Sequence, residues 1–121
     1  MTIDVTRFPN YQRDRKVILK KHRRADEDLS RLDDQLKKQS LSELPFAFKL
    51  QGKPTGFPDL WKVKLPIKAD NLSALRGLRL IVLREDDKLS ALALYTHEQL
   101  DSQPPWKEME KWLGEQRAEF E

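Results

Sequence analysis

Residues 78–95 read LRLIVLREDDKLSALALY, and this stretch decides the fold class. Its first six residues are apolar except for Arg79, which is typical of a strand buried in the middle of a sheet. The charged residues 85–88 predict a turn, and residues 89–95 predict the partner strand. The sequence therefore predicts an antiparallel hairpin at the centre of a sheet.

Two further strands are predicted before this hairpin. In residues 60–66, LWKVKLP, apolar side chains alternate with Lys62 and Lys64, so the two lysines share one face of a strand. Residues 46–50, FAFKL, show the same period of two. Glycines and prolines between residues 52 and 58 separate these strands, and Pro66 ends the second one.

Helices are predicted at both ends of the chain. After a short first strand over residues 3–8, residues 9–39 predict two helices packed as a hairpin, with Leu29, Leu32 and Leu36 at helical spacing. Near the other end, Asp101 or Ser102 could cap a last helix whose apolar stripe consists of Trp106, Met109, Leu113 and Phe120. The predicted order β-α-α-β-β-β-β-α is an α+β fold, one small antiparallel sheet packed by the helical hairpin and the C-terminal helix.

Length and composition fit one domain. The 121 residues form a single predicted domain, 1–121, in which residues 103–121 are a C-terminal helical extension. Hydrophobic residues make up 38% of the chain, and no apolar run approaches the ~18–20 residues of a membrane helix. The first ten residues lack the features of a secretory signal, and cysteine is absent. We therefore expect a cytoplasmic protein that has no membrane partner.

Charge is distributed unevenly along the chain. Seven basic residues and one acid in 11–24 give +6, six basic residues and one acid in 60–84 give +5, and three basic residues and six acids in 101–121 give −3. Basic segments of this kind suggest a polyanionic partner, either nucleic acid or an acidic protein. The alternative is that these charges form ordinary solvated faces.

The candidate functional residues are cations on strands, because the common catalytic and cofactor-binding motifs are missing from the sequence. The sequence contains no glycine-rich phosphate loop, no HExxH and no nucleophile elbow, and its two histidines are too few for most zinc sites. Lys62 and Lys64 predict a compact anion site, and Arg79 in an apolar strand must be paired or reach a ligand. Arg79 could instead form an ion pair with Glu85, Asp86 or Glu98.

Five short motifs follow one another along the chain: LQG at 50–52, WKVKL at 61–65, GLRLI at 77–81, the acidic turn at 85–87 and YTHE at 95–98. In this order and spacing they resemble the RelE/ParE superfamily of bacterial type II toxins. The resemblance covers roughly residues 3–100 and is strongest over 50–98. The chain departs from the family pattern in three ways. Its loop after Leu65 is longer, and it has Glu98 where some ribonucleases have arginine. In many members a residue near the C-terminus completes the site, and no residue of this chain matches it.

The resemblance implies a function and roles for particular residues. The ribonuclease branch of the family cleaves mRNA in the ribosomal decoding site, without a metal or other cofactor. By resemblance, Lys62 and Lys64 hold the scissile phosphate, Arg79 stabilises transition-state charge, and His97 occupies a position that is catalytic in some members. Three further residues are predicted to bind RNA: Lys68, Arg76 and Tyr95. Attack by a 2′-hydroxyl needs such cations and proton carriers, and imidazole can serve in either proton role.

The expected partners are a cognate antitoxin protein and mRNA on the ribosome. Two other functions remain open on the same fold. One is a ParE-like poison of DNA gyrase, which would lack the basic catalytic face, and the other is a non-catalytic nucleic-acid-binding or regulatory domain. For the individual residues, Lys62 and Lys64 could be a solvated sheet face, and His97 could cap a strand end.

Overall fold

A mixed six-stranded sheet lies at the centre of the fold, in the order β2-β3-β4-β5-β1-β6. The computed structural model describes residues 4–67, 77–86, 88–97, 99, 103–115 and 118–119. The helices are α1 (Pro9–Lys21), α2 (Ala25–Lys38) and α3 (Trp106–Leu113), with a short 3-10 turn at Leu41–Glu43. The strands are β1 (Asp4–Arg7), β2 (Ala47–Lys49), β3 (Asp59–Leu65), β4 (Leu78–Glu85), β5 (Lys88–Thr96) and β6 (Ala118–Glu119).

The α+β class is confirmed, but the prediction of a purely antiparallel sheet is wrong. β1 pairs in parallel with β5, from Asp4 opposite Lys88 to Arg7 opposite Ala91. Alternation of side chains does not encode strand direction, so the sequence pattern could not reveal this pair. A parallel pair needs a long connection, and here the helical hairpin and three strands separate β1 from β5 in the chain.

The predicted helical hairpin packs on one face of the sheet, which we call the hairpin face. Leu29, Leu32 and Leu36 of α2 are buried in the same cluster as Trp61 and Val63 of β3, as the sequence predicts. Acidic residues fill the first turn of α2 and lysines its last turn, which complements the helix dipole. Leu78, Leu80 and Val82 of β4 complete this cluster from the sheet side.

The opposite face carries α3, and we call it the α3 face. Met109 of α3 is fully buried against Leu60, Ile81 and Leu92 of the sheet. β4 is therefore buried on both faces over its first six residues, as expected for a mid-sheet strand. Among the described residues, no helix combines the length and apolar character needed to cross a lipid bilayer.

The C-terminal segment differs from the predicted helical extension over 103–121. α3 ends at Leu113, and residues 118–119 form β6, which pairs antiparallel with β1. The helix begins after Pro105, while the predicted caps Asp101 and Ser102, like Phe120, lie outside the described residues. Gly114 follows the helix, and its backbone N–H donates to the Glu110 carbonyl at 3.2 Å.

A β-bulge in β5 decides which side chains reach the α3 face. Ile81 pairs with Ala93 and Val82 with Ala91, so Leu92 is an extra residue in β5. Leu89 and Ala91 point to the hairpin face, whereas Leu92, Ala93 and Tyr95 are buried on the α3 face. Because a bulge shifts the two-residue alternation, it turns Tyr95 away from the helical hairpin and toward Arg79 on the α3 face.

Helix α1 holds this bulge through two polar side chains. The Asn10 Nδ2 donates to the Leu92 carbonyl at 3.1 Å and to Asp14 Oδ2 at 3.1 Å. The same Asp14 oxygen accepts from the Leu94 backbone N–H at 3.0 Å. Burial raises the pKa of the Asp14 carboxyl, and its hydrogen bonds act in the opposite direction. The bulged backbone groups thus find partners that a regular ladder would not supply.

Candidate functional site

Three predicted site residues lie side by side across the central strands. Lys64 of β3 is directly opposite Arg79 of β4, and Arg79 is directly opposite Tyr95 of β5. Directly opposite residues have Cβ atoms about 4.5–5.5 Å apart and share a face. We call Lys64, Arg79 and Tyr95 the Arg79 row. Lys62 lies two residues from Lys64 on the same strand face, about 7 Å away.

Arg79 is buried, and the structure excludes two of the ion pairs that the sequence analysis considered for it, those with Glu85 and Asp86. It keeps 5% of its surface exposed, and its Nη1 donates to the Leu78 carbonyl at 3.1 Å. Glu85 lies six residues further along β4, which is about 20 Å at ~3.3 Å per residue, and Asp86 is further still. Neither carboxylate can reach the guanidinium. Glu98, the third suggested partner, lies outside the described residues.

Neighbouring cations act on Lys62, which lies beside the Arg79 row. Burial lowers the pKa of Lys62, and the charges of Lys64 and Arg79 lower it further. Burial also lowers the pKa of Arg79. Within the described part of the chain, neither Lys62 nor Lys64 forms an ion pair. An anion bound beside Lys62 and Lys64 would offset the repulsion that lowers the pKa of Lys62.

Tyr95 adds a neutral hydroxyl to this cationic surface. Burial raises the pKa of Tyr95 to about 12, although the Arg79 charge acts to lower it. Its hydroxyl is buried and has no hydrogen-bond partner among the described residues. A buried hydroxyl without a partner is costly, and a ligand oxygen would satisfy it. The predicted RNA-binding residue Tyr95 therefore lies beside Arg79 as a hydrogen-bond donor.

His97 follows directly after β5. Its backbone N–H donates to the Gly77 carbonyl at 3.0 Å, which continues the β4–β5 ladder beyond Thr96. This continuation keeps His97 on the side of Tyr95, as the alternation in the sequence predicts. The imidazole is half-buried, and its Nδ1 is buried with no hydrogen-bond partner in the described part of the chain. His97 thus lies at the end of the row, next to Tyr95 in the chain order of that face.

A groove of about 330 Å³ opens beside the row, over the edge of the sheet. We call it the lysine groove. Its lining includes Lys62 and Lys64 on β3, Phe48 on β2, Gln51 after β2, and Gln103 before α3; Lys49 and Leu50 complete it. The segment that leads into α3 therefore forms one wall of a concave, cationic surface.

Phe48 and Gln103 are site residues that the sequence analysis missed. The alternation of Phe46, Phe48 and Leu50 suggested one apolar core face, but β2 contains only three residues. Phe46 packs toward the hairpin face and Leu50 toward the α3 face, while Phe48 is 46% exposed. A large aromatic residue interleaved with lysines on an edge strand was the available signal.

The remaining predicted site residues are not described by the structure. Lys68 and Arg76, predicted to bind RNA, fall in residues 68–76, outside the described residues. Among the residues that are described, no three His, Cys, Asp or Glu side chains lie together in a way that could hold a metal ion.

Comparison of the chain with protein-family models, with curated proteins and with solved structures found no match.

Proposed function

We propose that the protein is a metal-independent endoribonuclease that cleaves mRNA on the ribosome, the toxin of a toxin–antitoxin pair on a RelE-like fold. One observation carries this proposal: Lys62, Lys64 and Arg79 converge on one sheet face beside the unpartnered hydroxyl of Tyr95. Three cations on one face, beside a hydroxyl that has no partner among the described residues, are typical of a site that binds a phosphate.

Each side chain has a role in cleavage by 2′-hydroxyl attack. The 2′ oxygen forms a bond to phosphorus and the bond from phosphorus to the 5′ oxygen breaks, leaving a 2′,3′-cyclic phosphate. Arg79 presents a planar fork that suits the two non-bridging oxygens, and Lys64 adds charge next to it. Tyr95 remains protonated at neutral pH, because its pKa is about 12, and donates a hydrogen bond to the phosphate.

The two proton transfers are assigned to His97 and Lys62. His97 accepts the proton from the 2′-hydroxyl through its buried, unpartnered nitrogen. Lys62 gives its proton to the leaving 5′ oxygen, since burial and two neighbouring cations lower its pKa and make it a stronger acid. The Lys62 amine regains its proton from solvent before the next turnover.

The antitoxin partner is proposed from charge complementarity. A toxin must be held inactive until it is needed, and a cationic groove is covered most directly by an acidic segment that folds on binding. Such a segment would carry its carboxylates over Lys62 and Lys64. Its association rate would fall as salt is raised, because attraction between opposite charges speeds encounter.

Induced expression with primer extension of a reporter mRNA tests the proposal. We expect growth arrest and new 5′ ends within the translated part of the reporter. Arg79→Gln should abolish both while folding normally, and Val17→Ala on the exposed side of α1 should change neither. Growth arrest with a DNA-damage response and intact mRNA would point to a gyrase poison. Absence of any growth effect would favour a non-catalytic binding domain.

A further inference from the structure

Phe48 has an unusual environment for an exposed aromatic side chain. It is 46% exposed on the edge strand β2, directly opposite Lys62 of β3. The Lys64 ammonium lies over its ring, 5.2 Å from the ring centroid. The ring is therefore held in place by one of the two lysines proposed to hold phosphate, while much of its surface stays open to a ligand.

A protein strand is a poor candidate for covering Phe48. β2 contains three residues, and short edge strands offer few backbone groups for an added strand. Lys49 on the same strand is exposed and forms an ion pair with Asp59 at 3.4 Å, a charge that further discourages strand addition. An open aromatic ring flanked by lysines instead matches the surfaces on which single-stranded nucleic acid stacks its bases.

We propose that Phe48 is a stacking platform for an unpaired RNA base, and that the phosphate next to that base lies between Lys62 and Lys64. The inference rests on the proposed function and adds a base-binding subsite to it. Gln51 and Gln103 line the same groove, and their amides can donate to and accept from a base edge. The aromatic ring supplies affinity without sequence preference, and the two amides supply any preference for a particular base.

Lys64 couples the two parts of this subsite. Its ammonium contacts the Phe48 ring and lies opposite Arg79 in the ladder. Phe48 on β2 and Arg79 on β4 are two strand spacings apart, roughly 10 Å, so the phosphate next to a base on Phe48 lies at the lysines of β3 and the following phosphodiester lies at Arg79. The stacked base thus fixes which phosphodiester lies at the Arg79 row.

The test measures binding of short single-stranded oligonucleotides that lack the 2′-hydroxyl at every position, so that no cleavage by this route can occur. Fluorescence anisotropy is measured for the wild-type protein, Phe48→Leu, Phe48→Trp and the control Val17→Ala, which also alters an exposed apolar residue. A second set of oligonucleotides carries one abasic site, moved along the chain. Thermal melting confirms that all four proteins are folded.

We expect Phe48→Leu to weaken binding roughly 5- to 150-fold, the range for losing one base stack. Phe48→Trp and Val17→Ala should bind as the wild type does. When the abasic site is at the stacking position, the affinity of the wild type should fall by the same factor, and the affinity of Phe48→Leu should fall no further.

Three outcomes would overturn the inference. In the first, the wild type does not bind the oligonucleotides. In the second, Phe48→Leu lowers the affinity for intact and abasic oligonucleotides by the same factor. In the third, Phe48→Leu binds oligonucleotides normally but no longer retains a protein partner. A failure of the proposed function alone gives a different result, because the protein would then bind the oligonucleotides but would not cleave ribosome-bound mRNA.

Discussion

Replacing Lys62 with methionine should make the protein more stable and less active. Lys62 is half-buried and lies directly opposite Phe48 of β2 on one side and Ile81 of β4 on the other. Burial lowers its pKa, and two nearby cations lower it further. Methionine keeps the length of the side chain and removes the charge. Methionine also suits the neighbouring apolar surface. An ammonium that lowers stability where it lies is typical of a functional residue.

The size of the gain follows from the geometry. Lys64 is two residues away on the same strand face, and Arg79 is the diagonal neighbour on β4. Neighbouring side chains on a sheet interact by about 0.2–1 kcal/mol, so Lys62→Met should raise the free energy of unfolding by up to about that amount. For a domain of this length the gain corresponds to a rise of roughly 1–4 °C in Tm. Raising salt from 0.1 M to 1 M should shrink the difference, because the screening length falls from about 10 Å to about 3 Å.

Lys49→Met is the matched control. Lys49 lies on the neighbouring strand, but its partner is the Asp59 carboxylate at 3.4 Å instead of a second cation. Its replacement should lower the free energy of unfolding by about 0–1 kcal/mol. Chemical denaturation measures both variants, and primer extension measures cleavage by Lys62→Met. A Lys62→Met variant that is less stable than the wild type, or one that still cleaves at the wild-type rate, would refute the reasoning.

Two further predictions concern β5. Tyr95→Phe should leave stability at pH 7 unchanged or slightly higher, since the lost hydroxyl has no partner among the described residues, and should slow cleavage. The folded-state pKa of Tyr95, about 12, lies above the ordinary 10.0, so wild-type stability should fall as pH rises from 10 to 12. Thermal melts of Tyr95→Phe should show a smaller fall, and the remainder comes from Tyr11, whose pKa is also raised by burial. Asn10→Ala should cost about 1–3 kcal/mol in denaturation, because the Leu92 carbonyl loses its buried donor. It should also reduce cleavage, and full activity in this variant would show that the bulge does not position Tyr95.

The parts of the fold that the sequence predicts are those with a strong period. Alternation in β3 and the apolar run in β4 locate two neighbouring strands, and the alternation places Lys62 and Lys64 on one face; the structure adds Arg79 to that face, which an apolar run does not specify. The leucines of α2 predict its packing side. In these elements local pattern and tertiary burial agree, so the pattern alone is sufficient.

The parts that it could not predict depend on long-range contacts. β6 contains two residues, and its pairing with β1 leaves no local signal. The bulge at Leu92 interrupts a stretch of alternating small and large apolar residues, and the side chains that support it, Asn10 and Asp14, are about eighty positions away. The exposure of Phe48 follows from where the edge strand ends, which alternation does not specify.

The central claim is that the Arg79 row cleaves RNA by 2′-hydroxyl attack without a metal. The most direct test incubates the purified protein with ribosomes carrying a defined mRNA, in excess chelator chosen to spare ribosome-bound magnesium, and determines the chemistry of the new ends. The account predicts fragments with a 5′-hydroxyl and a 2′,3′-cyclic phosphate or its 3′-phosphate hydrolysis product. Arg79→Gln should reduce the yield by roughly 100-fold or more, the loss typical of removing a group aimed at transition-state charge. Fragments that carry a 5′-phosphate, or undiminished cleavage by Arg79→Gln, would contradict it.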